Sequence, residues 1–143
     1  MDLPIKLALK RPVTIGDQTY GELEFEEPDI ASQIAFAELT AELNAKAQAH
    51  ADELGITVSA AERADPEEVE ASPALQIYLA RRSADGARVM QFWIGRLANV
   101  PEEVAGKIKA TDMAAVSDVV SQILEISQED EAVGEMGNAT AAK

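Results

Sequence analysis

The chain has 143 residues, with 12 Lys and Arg against 26 Asp and Glu, one His and no Cys, for a net charge of −14. That length suits one small domain able to fold without staples, and the lack of cysteine excludes disulfides, thiol nucleophiles and cysteine-based zinc or redox sites. No apolar run approaches the ~20 residues of a membrane span, Met1-Asp2 opens no signal peptide, and the charge disfavours nucleic acid and membrane surfaces; the reading is a soluble, cytosolic protein. Alanine accounts for 26 of the residues. It favours helix while adding little core volume, so a mostly helical fold with a thin core is expected.

Residues 4–26 read as a β-ribbon. Ile5, Leu7 and Leu9 alternate with Lys6, Ala8 and Lys10, and Tyr20, Leu23 and Phe25 are spaced by Gly21, Glu22 and Glu24, the period of half-buried strands. Arg11-Pro12 interrupts the ladder and Gly16-Asp17 supplies a turn, which pairs Val13–Ile15 with Gln18–Tyr20. Pro28 then opens a helix, with Asp29 at the positive end of its dipole. Residues 29–54 contain no Gly or Pro and eight alanines, and Gly55 stands at the stop position. Large apolar side chains fill the first half of this helix and alanines the second, which is therefore exposed or closely packed on another helix.

Residues 55–72 are acidic, with Arg63 as the single basic residue among five acids from Glu62 to Glu70, and read as a connector holding a short helical turn at 66–70. Asp65-Pro66 and Ser72-Pro73 have the form of an N-cap followed by a first-turn proline, so a second helix starts at Pro73 and runs to about Arg82, where Asp85-Gly86 ends or bends it. Val89, Met90, Phe92, Trp93, Ile94 and Leu97 form the densest apolar segment, at helical spacing. Pro101 precedes a short helix with Glu102-Glu103 at its start and Lys107 and Lys109 at its end. Thr111 caps a last helix striped by Met113, Val116, Val119, Val120, Ile123 and Leu124. Residues 128–143 read as a disordered acidic tail. The whole is an α+β domain over 1–127, mostly α-helical, with an antiparallel β-hairpin packed on a small helical bundle; 73–127 is its helical part.

No residue pattern marks a catalytic, cofactor or metal site. His50, the single histidine, sits between alanines with no nucleophile in a recognisable pattern, and reads as an exposed polar residue. The acidic clusters lack the spacing of a calcium loop, and no phosphate-binding or triad signature occurs. Arg81, Arg82, Arg88, Arg96, Lys107 and Lys109 make the second half locally basic, a solvated face or a docking face for an acidic partner. Phe92 and Trp93 fit a core, while an exposed copy would anchor an interface.

Two stretches go beyond composition. The first is Leu7-Ala8-Leu9-Lys10-Arg11-Pro12-Val13, then Gly16-Asp17, then Gly21 to Asp29. The second is Arg96-Leu97-Ala98-Asn99-Val100-Pro101-Glu102-Glu103-Val104, continuing through Ile108, Asp112, Met113 and Val116 to Val120. Together they resemble the opening and closing blocks of the tail assembly chaperones of Mu-type and related contractile-tailed bacteriophages. In that family a Leu-rich strand ends in Lys-Pro, a second strand closes in Arg-Glu-Pro, a helix ends in Arg-Leu-Thr-Gly-Leu-Pro, and an Asp opens the last helix. Glu26 stands where the family usually has Arg, and Asn99 where it usually has Gly; Asn tolerates the left-handed conformation that Gly would supply.

The resemblance implies a non-enzymatic factor without cofactors. Such a factor coats the tape-measure protein in the host cytoplasm before the tail tube protein polymerises around it, and is absent from the mature virion. A longer, frameshifted form of the chain is part of what it implies, and the Ala-rich second half of the long helix is expected to be a second or self-association surface. The expected contact surface is Phe92, Trp93 and Leu97 with Met113, Val116 and Val120, and Arg81 and Arg82 are the expected basic docking residues. The competing readings are a phage head–tail connector or minor virion protein, an acidic helical regulatory module, and a small carboxylate enzyme.

Overall fold

The computed structural model describes residues 3–141, with side chains described from 3 to 126. The fold is α+β. A two-stranded antiparallel hairpin, β1 (Ile5–Ile15) and β2 (Gln18–Phe25), is followed by six helices: α1 (Ile30–Leu54), α2 (Val58–Arg63), α3 (Pro66–Ala71), α4 (Pro73–Ala98), α5 (Glu102–Gly106) and α6 (Ala110–Ala141).

The hairpin follows its hydrophobic alternation. Ile5 pairs with Phe25 and Leu7 with Leu23, and beyond an irregularity Val13 pairs with Tyr20 and Ile15 with Gln18. Gly16 at φ 60° is the first turn residue, and Asp17 keeps a negative φ, the pattern of a type II′ turn, in which only the first central position needs a left-handed backbone. Between Ala8 and Val13 the register shifts, so residues 9–12 of β1 all face Gly21 of β2. This bulge falls at Lys10-Arg11-Pro12. Pro12 has no N–H to give to a ladder, and the N–H groups of Lys10 and Arg11 turn to another acceptor, described below.

Helix ends are set by local chemistry. Asp29 rather than Pro28 makes the first cap: its carboxylate accepts the Ser32 N–H at 2.7 Å and α1 starts at Ile30, so Pro28 lies just outside the helix instead of opening it. At the far end Gly55 has φ 73°, the Ile56 N–H reaches the Ala51 carbonyl at 3.0 Å and the Gly55 N–H the Asp52 carbonyl at 3.2 Å, the paired bonds of a Schellman stop. Thr57 caps α2 through Ala60, Asp65 caps α3 through Glu68, and the Ser72 hydroxyl accepts the Leu75 N–H at the start of α4.

Three elements differ from the sequence reading. The acidic connector 55–72 contains two short helices rather than one helical turn. Helix α4 runs unbroken for 26 residues through Asp85-Gly86; an interior glycine costs about 1 kcal/mol against alanine, too little to end a helix with apolar residues on both sides of it. Thr111 is exposed and lies inside α6, not at its cap. The helix opens instead on the Lys109 carbonyl, which accepts the N–H groups of Asp112 at 2.9 Å and Met113 at 3.1 Å. The tail read as disordered, 128–143, falls in the last part of α6 and on residues beyond it, outside the residues whose side chains are described.

The chain divides into two compact units, Met1–Ser32 with Gln91–Lys143, and Gln33–Met90. The first unit holds the large buried side chains. Leu9, Val13, Leu23 and Phe25 come from the hairpin, Phe92, Trp93, Ile94 and Leu97 from α4, Val104 from α5, and Val116, Val120 and Ile123 from α6. The last three are spaced by four and three residues, one face of a helix, and β1 packs against both α5 and α6. Each fully buried Leu, Ile, Val or Phe contributes roughly 1.5–3 kcal/mol of transfer free energy.

The second unit is built from smaller parts. Its buried residues are Ala47 and Ala51 of α1, Ala61 of α2, and Leu75 and Tyr78 of α4, with Leu54, Ile56, Val58, Ala64 and Leu79 packed around them. Two alanines of the second half of α1, Ala47 and Ala51, thus serve as close-packing surface, while Ala45 and Ala49 are exposed, so both of the roles expected of this half occur.

Candidate functional site

The expected contact surface lies inside the protein. Phe92, Trp93, Leu97, Val116 and Val120 are buried in the core of the first unit, and Met113 is half-buried. This corrects the sequence reading. An amphipathic stripe identifies a face that must be covered, and here the protein's own hairpin and helices cover it. Phe92 and Trp93 meet edge to face at 5.2 Å between ring centroids, and the Arg96 guanidinium lies 5.3 Å above the Phe92 ring. Arg96 is exposed, so it shields the edge of this core with its planar cation.

The expected basic docking pair also separates. Arg81 is exposed, whereas Arg82 is engaged within the second unit, its Nη1 on Asp85 at 3.1 Å and its Nη2 on the Asn44 Oδ1 at 3.2 Å. Arg82 therefore ties α4 to α1. His50 is half-buried instead of exposed and stacks on Tyr78 at 6.3 Å.

The structure brings together a different set, centred on Asp112. Its side chain is only 4% exposed, and its two oxygens accept the Lys10 N–H at 2.8 Å and the Arg11 N–H at 2.9 Å. These are the donors that the bulge turns away from β2, so one carboxylate from the first turn of α6 satisfies what the hairpin leaves open. The Arg11 N–H, then the Lys10 N–H, hold the carboxyl below its ordinary range against the opposing effect of burial, and the positive side chains of both residues add to the effect. Above this contact Lys10, Arg11, Pro12, Lys109 and Thr111 line an open cavity of about 730 Å³.

A second junction joins the same stretches. The Glu26 N–H donates to the Leu97 carbonyl at 2.9 Å, and α4 ends at Asn99, φ 53°, with the Val100 N–H on the Gly95 carbonyl at 3.0 Å. The turn is tight: a Cβ on Gly95 would sit 3.2 Å from the Val100 carbonyl oxygen. Beside it is a polar cleft of about 530 Å³ where Glu24, Glu26, Glu27 and Asp29 lie with Arg96. Asp29 is held below its ordinary range by the Ser32 hydroxyl and then the Ser32 N–H, with the Arg96 charge assisting.

Lys10, Arg11, Glu26, Leu97, Asn99 and Asp112 all occur in the two motif stretches, but the pairing of Lys10 with Asp112 spans 102 residues and leaves no periodic trace in the sequence. Among the described residues, no group of three or more His, Asp or Glu is arranged to hold a metal ion, and no helix is long and apolar enough to cross a membrane. Compared with known proteins, the chain matches no family model, no curated protein and no solved structure.

Proposed function

We propose that this chain is a phage tail assembly chaperone, a non-enzymatic factor that binds the tape-measure protein and keeps it soluble while the tail tube forms around it. The observation that carries the reading is that the two stretches bearing the resemblance fold against each other. Lys10 and Arg11 of the first are held by Asp112 of the second, and Glu26 of the first donates to Leu97 of the second. Two motifs so far apart in the chain that complete one another's hydrogen bonds have the character of one scaffold. Asn99 supports it further: it takes a left-handed backbone at the position where the family usually has Gly.

The physical case is one of masking. A tape measure is a long helical chain with apolar surface, and a bound protein of net charge −14 keeps the complex dispersed by repulsion. With Phe92, Trp93 and Leu97 in the core, the large apolar side chains left exposed among the described residues are Ile30, Ile34 and Ile77, and these are the contact residues of the proposal. The tail tube protein and a frameshifted longer form of the chain are its further partners, and the host cytoplasm its place of action.

Co-expression with the tape-measure protein, followed by affinity capture and sizing, tests this. A soluble complex carrying several copies of the chain is expected. Recovery of the chain alone, with the tape measure in the pellet, contradicts it, and stoichiometric presence in purified virions would favour a connector instead.

A further inference from the structure

The junction at the bulge gathers charge as well as hydrogen bonds. Lys10 and Arg11 from β1 and Lys109 from the segment before α6 are all exposed, and with Pro12 and Thr111 they are the described residues that line one open cavity. None of the three cations forms an ion pair among the described residues, and the Asp112 carboxylate, which lies within the field of Lys10 and Arg11, is held by main-chain donors. The protein has 26 acidic residues to 12 basic ones. A cluster of three unpaired cations in such a chain therefore runs against its overall field and marks one place where negative charge is welcome.

The chemistry of the patch narrows what it can hold. The N–H groups of Lys10 and Arg11 form a paired donor nest of the kind that takes a small anion, but Asp112 already fills it with both oxygens. A free phosphate or sulfate thus finds the best donors taken. What remains is side-chain charge on long stems around a shallow surface, with the Pro12 ring and the Thr111 hydroxyl between. That arrangement fits several carboxylates spread along an extended segment. A nucleic acid would reach past the patch onto acidic surface with only three phosphates neutralised, whereas a short peptide meets the local field alone.

We propose that Lys10, Arg11 and Lys109, with the Thr111 hydroxyl, form a docking site for an acidic peptide segment of a partner protein. The site is separate from the apolar contact residues of the chaperone reading and does not depend on it. Asp112 anchors the bulge beneath it, so the backbone under Lys10 and Arg11 is fixed before the partner arrives.

Fluorescence anisotropy of a labelled hexaglutamate peptide, titrated with the full chain at low ionic strength, tests the site. Replacing Lys10, Arg11 and Lys109 together by Gln weakens binding roughly tenfold, the product of three exposed charge pairs. The Arg81→Gln variant, a loss of one exposed cation elsewhere, stays within about twofold. Because Asp112 is held chiefly by main-chain groups that Gln also possesses, with the side-chain charges a smaller contribution, the triple variant's unfolding midpoint shifts little. The single Lys109→Gln change, outside the hairpin, provides a second reading with about a twofold to threefold loss. Equal binding by the wild type and these variants overturns the proposal, as does the absence of binding by the wild type. So does displacement of the peptide by an equal concentration of inorganic phosphate, or tighter binding of an oligothymidylate than of the peptide.

Discussion

Asp112 serves the hairpin from another element, and its ionisation is therefore tied to folding. Backbone N–H groups hold its carboxyl below the ordinary range, and the Ser32 hydroxyl and N–H do the same for Asp29. A folded pKa depressed below the unfolded one contributes stability that is complete above the unfolded value and is lost as pH falls through the folded value. Urea midpoints of the wild type should therefore be flat near neutrality and fall on acidification below about pH 4. Asp112→Asn presents one acceptor oxygen instead of two and does not titrate, so its midpoint is lower at pH 7 and its acid dependence shallower. At Asn99 the left-handed backbone, φ 53°, sets the sign of substitution. Asn99→Gly leaves stability unchanged or slightly raised, and Asn99→Val lowers it by about 1–2 kcal/mol, both measurable by denaturant unfolding.

Among the elements, those governed by local chemistry were legible in the sequence. The hairpin announced itself through alternation and through Gly16-Asp17, and the observed pairing of Val13 with Tyr20 and Ile15 with Gln18 is the one that this turn dictates. Gly55, Asp65 and Ser72 likewise carried their helix ends in their own side chains or backbone freedom. What depends on distant residues was not legible. The stripe of Phe92, Trp93 and Leu97 shows that a face is buried without showing by what, and Thr111 has the form of a cap although Asp112, beside it, is needed at the bulge. The two cores differ in substance, and this has a measurable consequence. The second unit rests on three buried alanines with Leu75 and Tyr78, so its amides should exchange faster than those of the first unit. Tyr78, only 2% exposed, is its largest buried side chain. Tyr78→Ala should cost about 3 kcal/mol or more and raise exchange selectively over 33–90.

Across the whole molecule, the side chains that hold the fold are distinct from those assigned to a partner in the proposed function. Ile30, Ile34 and Ile77 are 79%, 56% and 52% exposed, so Glu in place of Ile30 and Ile34 should change unfolding free energy by no more than about 0.5 kcal/mol. The same double substitution should lower the yield of captured tape-measure protein, which distinguishes a lost contact from a lost fold. In the proposed function the chain keeps an apolar helical protein in solution, and light scattering tests this most directly. Denatured tape-measure protein is diluted into buffer with and without a molar excess of the chain, and turbidity is followed over time. The account predicts that scattering is suppressed in proportion to the chain added and returns when the Ile30 and Ile34 variant replaces it. Scattering that rises equally with and without the wild-type chain would contradict it.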